Sequence, residues 1–248
     1  MSFSLDRQGF DIVRRTATLE SRTWLSPNYV RVRLVGDELR GFNSAGSDDH
    51  IRILFTDASG ETISREYTPF AWDPEAGWLD IEFVIHGDEG IAAPWAANAP
   101  IGDVIAIGGP RGSLVLEGNP DGWLLAGDET ALPAMRRFLA RMTPDAVGFV
   151  FVEVPDEAHE QSLETPPGVA LRWVHRRSGA PGSALALALD AVPASDRPAG
   201  DVLAFIAAEQ SIVKPGRSLA HERWGIAPDR AIVKGYWKVG TTEYHAPH

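Results

Sequence analysis

The sequence contains no cysteine. This absence excludes disulfide bonds, thiolate zinc sites, cysteine-held iron–sulfur clusters and cysteine nucleophiles. The seven histidines show no metal-ligand spacing, so we expect no metal site of the protein's own. No Ser–His–Asp arrangement or catalytic carboxylate pair is visible either. Any redox chemistry must therefore come from a bound cofactor, with no catalytic side chain.

Long apolar runs and excess positive charge are also missing. No stretch approaches the ~20 apolar residues that span a bilayer. Residues 1–7 lack the basic start and apolar stretch of a secretory signal, so we expect a cytoplasmic protein without a membrane partner. The 23 Lys and Arg against 34 Asp and Glu give a net charge of −11, which disfavours nucleic acid as a partner.

The first half of the 248 residues has the rhythm of short antiparallel strands. Residues 29–35 and 79–85 alternate apolar and polar side chains, and turn residues such as Gly36-Asp37 end the runs. Alternation of this kind is typical of strands with one buried face. The predicted strands are 29–35, 51–55, 79–85 and 104–107. This spacing favours a barrel or sandwich.

The rhythm changes near Asn119–Gly122. Continuous apolar strands are predicted at 123–126, 147–154, 169–174, 202–207 and 231–233, with helices at 130–142 and 183–189, the second capped by Ser183. Buried strands alternating with helices indicate a parallel sheet. We therefore predict an antiparallel, cofactor-binding β-barrel domain over residues 1–120 and a parallel-sheet, nucleotide-binding α/β domain over residues 121–248.

Residues 65–68, Arg-Glu-Tyr-Thr, form the first candidate cluster. A flavin needs an aromatic wall, hydrogen bonds for its ribityl chain and a cation for its diphosphate. Arg65, Tyr67 and Thr68 can supply all three from one strand edge. The alternative is an exposed strand with a salt-bridging arginine, and the tetrapeptide alone favours that alternative.

Residues 86–96 form the second candidate cluster. A strand ends at His86, Gly87 begins a turn, and a short helix is predicted to start near Ala93 or Pro94. Backbone N–H groups at such a helix start attract a diphosphate. The alternative is a plain loop packed by Trp95.

Residues 126–134 join the first buried strand of the second half to its first helix. A strand end, a glycine turn and a helix start meet here, as they do where α/β sheets receive nucleotide phosphates. The Gly-x-Gly-x-x-Gly fingerprint is absent. Capping of the helix by Asp128 or Thr130 is an equally good interpretation.

Taken in order, these motifs resemble the siderophore-interacting proteins, which are flavin-dependent ferric-siderophore reductases of the ferredoxin-reductase-like superfamily. The matching motifs are Arg-x-Tyr-Thr at 65–68, Val-Ile-His-Gly at 84–87, Gly-Pro-Arg-Gly at 109–112, Gly-Asp-Glu-Thr-Ala-Leu-Pro-Ala at 127–134 and Gly-Tyr-Trp at 235–237. The motif at 127–134 is the most specific, and the resemblance spans nearly the whole chain.

The resemblance implies FAD, reduced by NADH or NADPH, and a ferric siderophore as the small-molecule substrate. The implied FAD contacts are Arg65, Tyr67, Thr68, His86, Gly87, Ala93 and Trp95. The implied nicotinamide-side and cleft residues are Asp128, Glu129, Thr130, Tyr236 and Trp237. Family members often carry Ser or Thr where Ala93-Pro94 stands, so backbone N–H groups must serve the diphosphate here.

A second departure from the family is Lys214-Pro215-Gly216, which we expect to interrupt or delay a helix. Nearby cations could form a basic mouth that attracts anionic ferric chelates, although scattered solvated side chains explain them equally well. These cations are Lys214, Arg217, Lys234 and Lys238.

The sequence leaves alternatives open for the choice of coenzyme and for the class of activity. Carboxylates at a strand end, here Glu153, Asp156 and Glu157, favour the ribose 2′-hydroxyl of NADH. Arg176 and Arg177, in contrast, could receive the 2′-phosphate of NADPH. A general flavin reductase or ferredoxin-type oxidoreductase is the rival enzyme. A non-catalytic siderophore- or flavin-binding protein is the rival from another class. We expect a monomer.

Overall fold

The computed structural model describes residues 2–57, 59–85 and 90–241, and the chain divides into two compact units. The barrel unit comprises Asp6–Val115, and the parallel-sheet unit combines Met1–Leu5 with Leu116–His248. Within the described ranges, no helix is long and apolar enough to cross a membrane.

The barrel unit is built on a seven-stranded antiparallel sheet that curls into a half-barrel. In chain order the strands of residues 1–118 are β1 (Phe3–Gly9), β2 (Arg14–Ser26), β3 (Tyr29–Val35), β4 (Ile51–Thr56), β5 (Thr62–Tyr67), β6 (Pro69–Asp73), β7 (Trp78–Val84), β8 (Val104–Gly108) and β9 (Gly112–Gly118). The large sheet has the order β5-β4-β8-β2-β3-β7-β6, while β1 pairs with β9. Thr68 alone joins the two edge strands β5 and β6, so the sheet must curl until its edges meet at that residue.

A short helix, α1 (Ala92–Asn98), packs against the core of the barrel unit. The ring of Trp95 lies 5.7 Å from the ring of Phe55 and 6.0 Å from that of Phe83, both buried in the core. Its indole N–H donates to Asp103 at 2.6 Å. The Arg22 guanidinium donates to the carbonyls of Ala96 and Ala99, at the end of α1. These contacts fix α1 to the sheet.

The parallel-sheet unit has five parallel strands in the order β12-β11-β10-β13-β14. They are β10 (Gly122–Asp128), β11 (Val147–Val154), β12 (Gly168–His175), β13 (Val202–Glu209) and β14 (Ala231–Trp237), accompanied by α2 (Leu132–Leu139), α3 (Ser183–Asp190) and α4 (Val213–Arg217). β10 and β13 are buried along their whole length, which explains their continuous apolar sequences. The strand order reverses between these two strands, and a sheet of this type binds ligands outside the carboxyl ends of its strands at such a point.

The prediction that Pro215 and Gly216 interrupt a helix was wrong. Both lie within α4, which continues into a π-helical segment at Ser218–Arg223. Pro215 is the third residue of α4, where a backbone N–H would have no acceptor in the helix. A Cβ on Gly216 would lie 3.0 Å from the side chains of Ile206 and Val233, so glycine allows α4 to pack closely on the sheet.

Candidate functional site

Arg65 and Tyr67 lie on the inner face of β5. In the antiparallel pair of β4 and β5, Arg65 is opposite Ile53 and Tyr67 is opposite Ile51, and directly opposed residues share a face. Ile51 and Ile53 belong to the buried core. The residue between them on the strand, Glu66, lies on the outer face.

An open recess of about 460 Å³ adjoins Arg65. Its lining residues are Thr56, Asp57, Ile63, Arg65, Gly90 and Ile91. The Arg65 guanidinium donates to the carbonyl of Ser64 at 2.8 Å. This side of the barrel unit therefore combines a cation with a recess that can hold part of a ligand.

Tyr67 and Thr68 lie at the point where the sheet edges meet. The Tyr67 ring is 4.3 Å from the ring of Phe83, and burial raises the pKa of its phenol, although the charge of Arg65 acts in the opposite direction. The side chain therefore stays neutral at physiological pH. Thr68 is buried.

The second cluster is described only in part, because His86 and Gly87 lie outside the described residues. α1 begins at Ala92, and Ala93 is buried in its first turn. Trp95 packs against the core and is hydrogen-bonded to Asp103, so its contribution in this structure is to position α1.

Asp128, the last residue of β10, is a buried hub of hydrogen bonds. One carboxylate oxygen accepts from the backbone N–H and hydroxyl of Thr130. The other accepts from the backbone N–H of Glu209 at 2.9 Å and from the indole N–H of Trp237 at 2.8 Å. Both oxygens are thus used within the protein. Asp128 holds the turn before α2 and, through Trp237, the end of β14.

Trp237 reaches across the carboxyl end of β13 to make this bond, since β13 lies between β10 and β14. The pairing of β13 with β14 shifts just before it: Ala208 is paired with Gly235, and Glu209 with Trp237. Tyr236 is the extra residue of this bulge. Its ring packs 6.4 Å from the ring of Phe205. Bulges re-aim side chains in this way next to ligand sites.

Glu129 and Arg176 form a buried ion pair. The two terminal guanidinium nitrogens of Arg176, Nη1 and Nη2, donate to the two carboxylate oxygens of Glu129 at 2.9 and 2.8 Å. Arg176 also lies 3.9 Å from Glu153. The next residue, Arg177, pairs with Glu157 on the surface. Both arginines that could receive a 2′-phosphate are therefore engaged by carboxylates in this structure.

Glu153 caps α3 from β11. Its carboxylate accepts the backbone N–H groups of Gly182 at 2.7 Å and Leu185 at 2.8 Å. The prediction that Ser183 caps this helix was wrong, because the Ser183 hydroxyl donates instead to the carbonyl of Ala180. With both oxygens buried and bonded, Glu153 has no oxygen directed to a ribose.

The four cations of the expected basic mouth do not lie on one face. Gly216 of α4 packs on Val233, so Lys214 and Arg217 belong to a helix on that face of the sheet. Lys234 is the next residue along β14 and lies on the opposite face, where its ammonium is 5.4 Å from the Tyr236 ring centroid. Lys238 is exposed beyond the strand.

Sequence reasoning missed Glu209 and the capping role of Glu153. Both are buried glutamates at or near the carboxyl end of an apolar strand, and Glu209 accepts from the backbone N–H of Ser211 at 2.6 Å. The signal was available in the sequence: Ala-Ala-Glu at 207–209 and Phe-Val-Glu at 151–153 each end an apolar run with one acid. A charge inside such a run needs a partner.

Asp128 should make stability depend on pH. Burial and the neighbouring charge of Glu129 raise its pKa from 3.8 to about 6. Between pH 3.8 and about 6 the folded protein therefore keeps the Asp128 carboxyl protonated, whereas the unfolded chain has released that proton. The stabilisation that comes from this proton is full below about pH 4 and is lost as the pH rises through about 6. We expect the unfolding free energy of the parent, relative to Asp128→Asn, to fall by at most about 3 kcal/mol over this interval. Urea unfolding of both proteins between pH 4 and about 6 measures this change. If the unfolding free energies of parent and variant differ by the same amount at every pH, the prediction is wrong.

Comparisons with known proteins place both halves of the chain. A model of the siderophore-interacting FAD-binding domain matches residues 18–64 and 57–114, and a model of the siderophore-interacting protein matches residues 120–240. Ferric vibriobactin reductase ViuB of Vibrio cholerae is 30% identical over 244 residues, covering 90% of each chain. The NADPH-dependent ferric-chelate reductase of Escherichia coli is 31% identical over 234 residues, covering 86% of this chain and 88% of its own.

Solved structures agree with these sequence matches. A siderophore utilization protein from T. fusca superimposes with a TM-score of 0.87 at 32% identity, covering 97% of this chain and 99% of its own. The ferredoxin reductase of carbazole 1,9a-dioxygenase shares the fold, with a TM-score of 0.69 at 14% identity and coverage of 92% of this chain and 68% of its own.

Proposed function

The chain belongs to the siderophore-interacting protein family, and from that premise we propose that it is an FAD-dependent NAD(P)H:ferric-siderophore reductase. Residues 1–120 would bind FAD and residues 121–248 would bind NADH or NADPH. The supporting relatives are those named as a ferric vibriobactin reductase and an NADPH-dependent ferric-chelate reductase.

The observation that carries the proposal is the inner face of β5 shared by Arg65 and Tyr67, with Arg65 also lining the 460 Å³ recess. This arrangement fits FAD. Arg65 would hold the diphosphate by charge-assisted hydrogen bonds, Tyr67 would pack its neutral ring against the flavin, and Thr68 would complete the edge. When bound, FAD supplies the acceptance of hydride from NAD(P)H and the delivery of single electrons to Fe(III).

The remaining proposed residues act by positioning. His86, Gly87 and Ala93 would contact the diphosphate, and Trp95 would fix α1 through its contacts with the core.

Asp128, Glu129 and Thr130 would shape the turn after β10, where the reversed strand order favours a nucleotide. Tyr236 and Trp237 would close the cofactor site, and the indole of Trp237 is held for this by Asp128. The substrate is a siderophore that holds Fe(III) through hard oxygen ligands. Because such ligands bind Fe(II) less tightly, reduction releases the metal.

Anaerobic absorbance spectra test the proposed function. The purified protein loaded with FAD should be yellow, should be bleached by NADH or NADPH, and should regain its colour when a ferric siderophore is added. Bleaching without reoxidation by any ferric siderophore in a panel would favour a general flavin reductase. A yellow protein that neither coenzyme bleaches would be a non-catalytic binder, and a protein that binds no FAD would refute the proposal.

We further propose that the protein is a monomer and works in the cytoplasm, where NADH and NADPH are available. Cell fractionation and sedimentation of the FAD-loaded protein test the two statements. Recovery with membranes would contradict the cytoplasmic location, and a dimer mass would contradict the monomer.

A further inference from the structure

The carboxyl edge of the parallel sheet buries an unusual amount of negative charge. Four carboxylates lie there, at or next to the ends of β10, β11 and β13, and each is at most 6% exposed. They are Asp128, Glu129, Glu153 and Glu209, and we call them the carboxylate edge. Within the described residues of this group, the guanidinium of Arg176 supplies the opposite charge by contacting Glu129 and Glu153.

Arg176 is held in place at this edge. It follows β12 directly and reaches past the end of β11 to Glu129, which follows β10. Both Arg176 terminal nitrogens donate to Glu129, and the side chain is only 16% exposed. The charges of Glu153 and Asp128 add to this attraction. The pair is therefore geometrically complete, with each Glu129 oxygen bonded to one nitrogen.

The same place is where a dinucleotide is expected. In a parallel sheet of this order, the turn between the first strand and its helix faces the diphosphate of the ligand. Here that turn runs from β10 to α2 and contains Glu129. A diphosphate approaching this turn meets like charge from the carboxylate edge. A guanidinium binds phosphate with the same two-nitrogen geometry that it uses for a carboxylate.

We propose that Glu129 lowers the affinity of the protein for NAD(P)H because it holds the Arg176 guanidinium, which would otherwise bind the coenzyme's diphosphate. This inference rests on the proposed function, since it concerns the affinity of the same nucleotide site. Weak binding has a use in a reductase. The oxidised coenzyme must leave before the next one enters, and product release often limits turnover.

Glu129→Gln tests the proposal because it removes the charge and keeps the shape of the side chain. We expect NADP⁺ and NAD⁺ to bind the oxidised, FAD-loaded variant about tenfold more tightly than the parent, and by equal factors, since both carry the same diphosphate. Arg176→Met should weaken both about tenfold. The double variant Glu129→Gln/Arg176→Met should return close to the parent, which loss of a merely structural pair would not produce.

Isothermal titration calorimetry with NADP⁺ and NAD⁺ measures these affinities without turnover, and the concentration dependence of anaerobic flavin bleaching by NADPH gives a second value. The gain in Glu129→Gln should shrink as salt is raised from 0.05 to about 0.5 M, because it is electrostatic. Asp190→Asn is the matched control, since it removes the charge of an exposed carboxylate that pairs with Arg223 at 3.7 Å. Its affinities should equal those of the parent.

Unchanged or weaker coenzyme binding in folded Glu129→Gln overturns the inference, whatever Arg176→Met does. If Arg176→Met fails to fold, the result for Glu129→Gln decides alone. The proposed function fails separately, when NADH and NADPH do not bleach the parent protein at all.

Discussion

Arg65→Ala should weaken FAD binding about a hundredfold. Removing one partner of a desolvated, hydrogen-bonded charge pair costs about 3 kcal/mol, and the diphosphate would lose its guanidinium in this way. The backbone of β5 should be little affected, because its pairing with β4 uses main-chain groups. We therefore expect a large loss of FAD affinity with only a small change in the thermal midpoint of the FAD-saturated protein.

Arg52→Ala is the matched control for Arg65→Ala. Arg52 lies on the neighbouring strand β4, on the outer face, where it pairs with Glu66 at 3.2 Å. Its loss should leave FAD affinity unchanged. Titration of the apoprotein with FAD, followed by quenching of flavin fluorescence, measures both variants. Equal FAD affinities in Arg65→Ala and the parent would remove Arg65 from the site.

Glu153→Ala should destabilise the parallel-sheet unit by about 4 kcal/mol. The substitution leaves the backbone N–H groups of Gly182 and Leu185 without their acceptor and takes a carboxylate away from Arg176. Losing a buried acceptor and unbalancing a buried charge are among the more damaging single changes. Because α3 packs on β11 and β12 near this point, its first turn should open first.

Urea unfolding and hydrogen exchange at residues 182–186 measure the effect of Glu153→Ala. Glu157→Ala, which removes an exposed glutamate four residues later, should leave both measurements unchanged. If Glu153→Ala unfolds at the same urea concentration as the parent, the cap on α3 is not a determinant of stability.

The fold was predictable because its strands carry strong local patterns, and the fold prediction is confirmed. The predicted strands 29–35 and 147–154 match β3 and β11 in full. β2 was not predicted, since polar and exposed residues interrupt its alternation along 13 residues. β6 was also missed, as a strand of five residues that begins with proline gives little periodic signal.

The candidate site was predictable only where it is local. Arg65 and Tyr67 share a face because a strand has a period of two, and that follows from the sequence. The bond between Asp128 and Trp237 joins residues 109 positions apart, and the Glu129–Arg176 pair spans 47 positions. No periodic pattern encodes such pairs. For the same reason, Ser183 was taken as a cap when the true acceptor, Glu153, comes from a different strand.

The single-residue joint at Thr68 makes the two margins of one sheet neighbours in the chain as well as in space. The Cα atoms of Tyr67 and Pro69 can be no more than about 7 Å apart, so neither margin can drift from the other at this point. An unpaired edge strand can associate with other chains. The connection through Thr68 keeps the ends of the edge strands β5 and β6 close to each other. An insertion at residue 68 would therefore both separate the two edge strands and displace Tyr67. Residues 67–69 join the two edges of the sheet, and in the proposed site Tyr67 and Thr68 would also contact the cofactor.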